Sequence, residues 1–194
     1  MKDSTHSVAQ EVKGIVGFVG VLWIVFLLDL VVFPIDFKDF GLVPRSFTGL
    51  VGIVTMPFLH ADFGHLMGNS VPLLILLMLL AGSRARSWEI VGETVFFGGL
   101  LLWLFGRPAN HIGASGLVFG LIAFLIVSGL LERRLLPLMV SLIVGFFYGG
   151  TLLSGILPGI DPKVSWDGHL CGAVAGALVA YSLTKRPIEE HDGS

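Results

Sequence analysis

Gly113-Ala114-Ser115-Gly116-Leu117-Val118-Phe119-Gly120-Leu121-Ile122-Ala123-Phe124, continuing without a charge to Leu131, is the stretch on which the fold turns. An α-helix rises about 1.5 Å per residue, so crossing a bilayer core of about 30 Å takes roughly 20 apolar residues. Residues 115–131 supply such a run, headed by one serine set among glycines. A helix with no polar face is buried in protein or lies in lipid.

Working outward, five more segments read the same way: 14–33 with Asp29 inside it, 65–81, 89–105 with Glu93 near its start, 135–154 and 168–183. Composition agrees. Hydrophobic residues make up 54% of the 194 and charged residues 13%, where soluble domains carry about 25% charged. Mean hydropathy is +0.88. The 26 glycines among apolar residues fit closely packed transmembrane helices. A net charge of −2 gives no basis for a nucleic-acid partner, and a lone Cys171 forms no internal disulfide. The expected fold is therefore all-α: a polytopic membrane protein built as a bundle of six transmembrane helices. The expected layout is an N-terminal tail over 1–13, one membrane domain over 14–184 and a C-terminal tail over 185–194. The first apolar run is read as a retained span, because Phe33-Pro34-Ile35-Asp36 follows it in place of a small-residue cleavage pattern.

Six spans put both ends of the chain on one side. That side carries Lys2, Lys13, Arg84, Arg86, Arg133, Arg134, Lys185 and Arg186, against Lys38, Arg45, Arg107 and Lys163 on the other. The excess predicts cytoplasmic termini. The long connection 34–64 is apolar for a loop and is expected to lie partly in the membrane interface, with Arg45 and Asp62 holding it in place.

On this topology the second, fourth and sixth spans all run inward, so the residues that open them share one external depth. His65 and Asn69 open the second, Ser115 the fourth and His169 the sixth. Intramembrane polar groups that converge are functional candidates. Taken singly, each has a plain structural reading: Ser115 as a helix cap, His169 as an interfacial histidine, and His65 and Asn69 as a polar helix end. Together they offer a nucleophile, a base and two hydrogen-bond donors on one helix face. Small residues at 116 and 120, and at 168, 172 and 176, would let the fourth and sixth spans meet closely. The histidines lack the His-Glu-x-x-His pattern and a carboxylate at ligand spacing, so no metal site is expected. Asp29 and Glu93 are read as structural, and the absence of an internal repeat gives no support to a transporter.

Three motifs in order carry a family resemblance: His60-Ala61-Asp62-Phe63-Gly64-His65-Leu66-Met67-Gly68-Asn69, then Gly113-Ala114-Ser115-Gly116, then Gly168-His169 with Gly172 and Gly176. The chain resembles the rhomboid intramembrane serine proteases, in their minimal six-span bacterial form, a likeness that implies a place in a cell membrane. The resemblance implies a dyad of Ser115 and His169, and an oxyanion hole from the Ser115 N–H, His65 and Asn69. It implies supporting roles for His60, Gly113, Gly116 and Phe119. It implies no cofactor, and membrane-anchored or single-span protein substrates cut near the external face. The chain departs from the family pattern at Pro44-Arg45, where many bacterial members have Trp-Arg, and at Phe119, where tyrosine is frequent. The alternative is a catalytically inactive relative that binds membrane proteins. Substrate identity and oligomeric state leave no mark in the sequence.

Overall fold

The computed structural model describes residues 8–32, 35–84, 86–159 and 164–185. The outer parts of both expected tails, and Lys163, lie outside these residues. The described chain is helical, with one isolated bridge between Leu42 and His111. In order it forms α1 (Val8–Val31), a loop carrying α2 (Gly52–Thr55) and three short helical turns, α3 (Phe63–Ser83), α4 (Ser87–Phe105), α5 (Ser115–Glu132), α6 (Leu135–Gly155) and α7 (Trp166–Lys185). Five of these helices, α1, α3, α4, α5 and α6, are long and apolar enough to cross a membrane. The protein is a multi-pass membrane protein of all-α architecture.

The expected sixth span is α7, 20 residues long, whose glycines, alanines and polar residues leave it less apolar than the others. Its neighbours explain that composition, because α7 packs against α5 and α4. A Cβ on Gly172 would stand 2.7 Å from the Gly116 carbonyl carbon and 3.1 Å from its Cα, with the Gly116 oxygen closer still. One turn on, a Cβ on Gly176 would stand 2.6 Å from the Gly120 carbonyl carbon. Gly98 brings α4 to the same place: a Cβ on it would stand 3.4 Å from Gly172 Cα. Apolar surface gains little from leaving lipid for protein, so backbone approach of this kind supplies the packing that holds such helices together.

The central helix is α5. Leu117, Val118, Phe119, Leu121, Ile122, Phe124 and Leu125 are all buried, which covers its whole circumference. The expected spans match the helices within a few residues except at the start of α1. That helix begins at Val8 where residue 14 was expected, because Glu11 is buried and accepts a hydrogen bond from Ser87 Oγ of α4 at 2.9 Å.

The loop between α1 and α3 folds onto the bundle. Arg45 donates to the carbonyls of Leu104 (3.2 Å) and Gly106 (2.9 Å), and Trp103 Nε1 donates to Ser46 O at 2.9 Å. Asp29, inside α1, pairs with Lys38 at 2.6 Å, and this carboxylate with Asp36 raises the Lys38 pKa. Phe40, Phe47, Val51 and Val54 remain exposed, giving the loop an apolar outer face. Asp62 does not brace the loop. It caps α3 instead, accepting from His65 N–H at 2.8 Å.

Candidate functional site

The N-termini of α3, α5 and α7 lie at one end of the bundle; Arg84, Arg86, Arg133 and Arg134 lie at the other. A cavity of about 680 Å³ opens between these N-termini, lined by Asp62, His65, Asn69, Ser115 and His169, with Asn110, His111 and Ser165 at its side. The structure thus gathers the four residues expected to react from helices far apart in sequence.

Ser115 is the first residue of α5. Its N-cap, Ala114, has no side chain able to cap, so the free N–H groups of the first turn are left for other acceptors. Gly113, just before, has φ +110°, a conformation that side chains rarely adopt. A Cβ there would sit 2.7 Å from His65 Cε1 and 3.5 Å from Asn69 Nδ2, so only glycine lets this loop lie against those two side chains. Gly113 N–H is anchored to Met56 O at 2.8 Å.

The hydrogen bonds around the two donors set their direction. Ala61 N–H donates to His65 Nδ1 at 3.5 Å, which leaves the proton on Nε2, the atom beside Gly113. Asn69 is buried and spends one of its two amide hydrogens on His65 O at 3.2 Å. Among the described residues the other has no acceptor, and it is available to one in the cavity.

His169 is held on two sides. Its Nδ1–H donates to Gly155 O, at the last residue of α6, at 3.0 Å. Its ring stacks on Phe119, one turn after Ser115, with centroids 4.0 Å apart and planes 8° from parallel. Phe119 occupies the space beside Gly155, whose Cβ would stand 2.5 Å from Phe119 Cε1. Because Nδ1 carries the proton, Nε2 keeps its lone pair. Among the described residues no hydrogen bond joins Ser115 Oγ to His169. Such contacts are commonly loose before substrate binds.

His60 lies behind His65, with ring centroids 5.1 Å apart, edge to face. It is 2% exposed, and neither ring nitrogen has a partner among the described residues. Burial, with His65 beside it, pushes its pKa down to about 4, so the ring is neutral. Gly116 sits where α5 meets α7, 3.4 Å from Gly168 O as a Cβ would measure it.

Two features went unread in the sequence. The first is the Gly155 carbonyl, a backbone group that no residue type announces. The second is a polar cluster joining the α4–α5 loop to the start of α7. Asp167, with its side chain 7% exposed, accepts from Arg107 N–H (2.8 Å), Arg107 Nε (3.3 Å) and Arg107 Nη2 (3.1 Å). His111 Nε2 donates to Arg107 O at 3.1 Å, and its Nδ1 accepts from Ser165 Oγ at 2.7 Å. An arginine before α5 and an aspartate in the first turn of α7, two residues before a candidate base, were the available signal.

A family model described as Rhomboid domain matches residues 48–186. An uncharacterized protein of Mycobacterium tuberculosis is 44% identical over 181 residues, covering 88% of this chain and 74% of that protein. One from Mycobacterium leprae is 40% identical, covering 88% and 70%. Rhomboid-like protein 11, chloroplastic, of Arabidopsis thaliana is 26% identical over 200 residues, covering 89% and 68%. No solved structure matches. With a fold that sets three helix N-termini around one cavity, and a domain match running from the first loop through α7, the chain belongs to the rhomboid family.

Proposed function

We propose that this protein is an intramembrane serine endopeptidase, with Ser115 as nucleophile and His169 as general base. The observation that carries the reading is the cavity shared by Ser115 and His169, in which Gly155 O holds the His169 Nδ1 proton and leaves Nε2 as the basic atom. Ser115 Oγ attacks the scissile carbonyl carbon as its proton passes to Nε2. The oxyanion that forms takes hydrogen bonds from the Ser115 N–H, His65 Nε2–H and the free Asn69 amide hydrogen. As the C–N bond breaks, the imidazolium gives its proton to the leaving amine. Water then attacks the acyl-enzyme by the same route in reverse and frees the carboxylate product. Every proton is carried by His169, so the cycle needs no cofactor.

The cavity lies at the helix ends away from Arg84, Arg86, Arg133 and Arg134. With those arginines cytoplasmic, the site opens at the external face, and the substrates are membrane-anchored proteins cut near that surface. The bilayer itself is the second partner.

The test is cleavage of single-span reporters in liposomes by wild type, Ser115→Ala and His169→Ala, with a fluorophosphonate label mapped to its residue. Both variants are expected to lose cleavage, and the label is expected on Ser115. Cleavage that survives Ser115→Ala overturns the mechanism, and a label on Ser165, which lines the same cavity against His111, moves the nucleophile there. The open contact between Ser115 and His169 favours a second reading, an inactive member that binds membrane proteins. Failure of wild type to cleave several reporters or to take the label would select it.

A further inference from the structure

The geometry points to Arg107, Asp167 and His111 as positioning residues that hold Ser115 and His169 in register; the inference rests on the dyad reading above. Ser115 and His169 sit on different helices, and each follows a loop. The loop before α5 is tied to the start of α7 through one cluster, with Asp167 and His111 buried and Arg107 partly exposed, so the two reactive groups share an anchor.

The ties are specific. Asp167 stands two residues before His169, and Arg107 grips both its oxygens: Nε and the backbone N–H reach Oδ2 while Nη2 reaches Oδ1. Two such bonds fix the carboxylate in angle as well as distance. Arg107 Nη2 also donates to Val164 O at 3.2 Å, and Arg107 lies over the Trp166 ring, 5.4 Å from its centroid. Ser165 adds a second link, because its one hydroxyl proton lies between two acceptors, His111 Nδ1 (2.7 Å) and Asp167 Oδ1 (3.1 Å), while its oxygen accepts from Gly168 N–H (3.2 Å).

His111 is the point where three parts of the protein meet. Its backbone pairs both ways with Leu42 of the first loop, 2.9 Å in each direction, and its ring reaches Ser165 at the start of α7. It stands two residues before Gly113 and is 4% exposed. A shift of His111 therefore carries Gly113 and Ser115 with it, and a shift of Asp167 carries His169. These side chains do not touch the reacting atoms. They act on the distance between Ser115 and His169, on which the rate depends steeply.

The experiment measures fluorophosphonate labelling of Ser115 in liposomes, separating the final labelled fraction from the rate per labelled site. Reporter kcat and KM are read alongside. Asp167→Asn keeps the shape of the side chain and removes the charge that Arg107 grips. It is expected to label to one Ser115 per chain, with the rate per site and kcat down by about 10- to 100-fold and KM little changed. Arg107→Lys, which keeps the charge without the two-point grip, is expected to fall between Asp167→Asn and wild type. Glu132→Gln removes the carboxylate paired with Arg84 at the opposite end of the bundle and is expected to leave the rate per site unchanged.

A wild-type rate in Asp167→Asn overturns the inference. So does a smaller labelled fraction with an unchanged rate per site, because that marks loss of folded protein. If Asp167→Asn does not fold, Ser165→Ala, which cuts only the hydroxyl link, decides by the same two readings. Wild type that takes no label at Ser115 removes the dyad and the brace together, whereas a labelled wild type with equally fast variants removes the brace alone.

Discussion

Gly172→Ala adds one methyl where the backbones of α5 and α7 meet nearest the candidate site. Its Cβ would fall 2.7 Å from the Gly116 carbonyl carbon, where ordinary contact begins near 3.4 Å. The helices must part by about 0.7 Å to relieve that carbon alone, and further for the nearer carbonyl oxygen. No flexible side chain can yield, because the obstacle is backbone. Gly116 adjoins Ser115 and Gly172 is three residues from His169, so the separation appears almost undiminished between nucleophile and base. A misplacement of about 1 Å costs on the order of 10²-fold in rate. Overpacking adds about 1–3 kcal/mol of destabilisation. The expected result is reporter cleavage in liposomes reduced by about 10- to 100-fold at equal folded protein, with a lower unfolding temperature. Gly92→Ala is the reference: a Cβ at Gly92 meets nothing within 4 Å, and the variant should match wild type in both measurements. Wild-type cleavage by Gly172→Ala would refute the argument that this helix spacing sets the dyad.

Asn69→Ala removes one of the two side-chain donors proposed for the oxyanion while leaving the His65 donor in place. Its kcat is expected to fall by about 10²- to 10³-fold with a smaller change in KM; equal losses confined to KM would place Asn69 in substrate binding instead. His60 titrates near pH 4 when folded and near 6.5 when unfolded, so the unfolded chain binds the extra proton between those values. Stability should be full above about pH 6.5, fall as pH drops through that window by up to about 3 kcal/mol, and level below pH 4. His60→Gln should flatten that part of the pH profile of unfolding in detergent, and an unchanged profile would show that His60 titrates alike in the folded and unfolded chain.

The spans were legible because a bilayer leaves little choice: each backbone polar group must be bonded within its helix, and each helix needs about 20 residues. The shared end of His65, Asn69, Ser115 and His169 followed from chain direction alone. The glycines at 116, 120, 172 and 176 announced the α5–α7 contact because small residues at this spacing have few other uses between apolar helices. What stayed hidden depended on partners distant in sequence. Glu11 extends α1 by finding Ser87, 76 residues on. Arg107 entered the sequence reading only as a charge on one side of the membrane, yet 60 residues later it meets Asp167. Asp62, expected to hold the first loop, is drawn to the nearer free N–H groups of α3. The tautomer of His169 depends on a main-chain oxygen, and any residue type would provide one.

That oxygen sets the terms on which the proposed dyad can vary. A carboxylate orienting a histidine can be lost by one base change or neutralised in acid. The Gly155 carbonyl can suffer neither, since every amino acid carries it and it does not titrate in the range where proteins fold. Alanine at 155 would report the clash of its Cβ with Phe119, 2.5 Å from Cε1, and not the loss of the carbonyl. Only an atom-level change, such as an ester in place of the peptide bond, would weaken it. Drift in the coding sequence reaches this acceptor only through the path of α6, so the selectable quantity is where that helix ends.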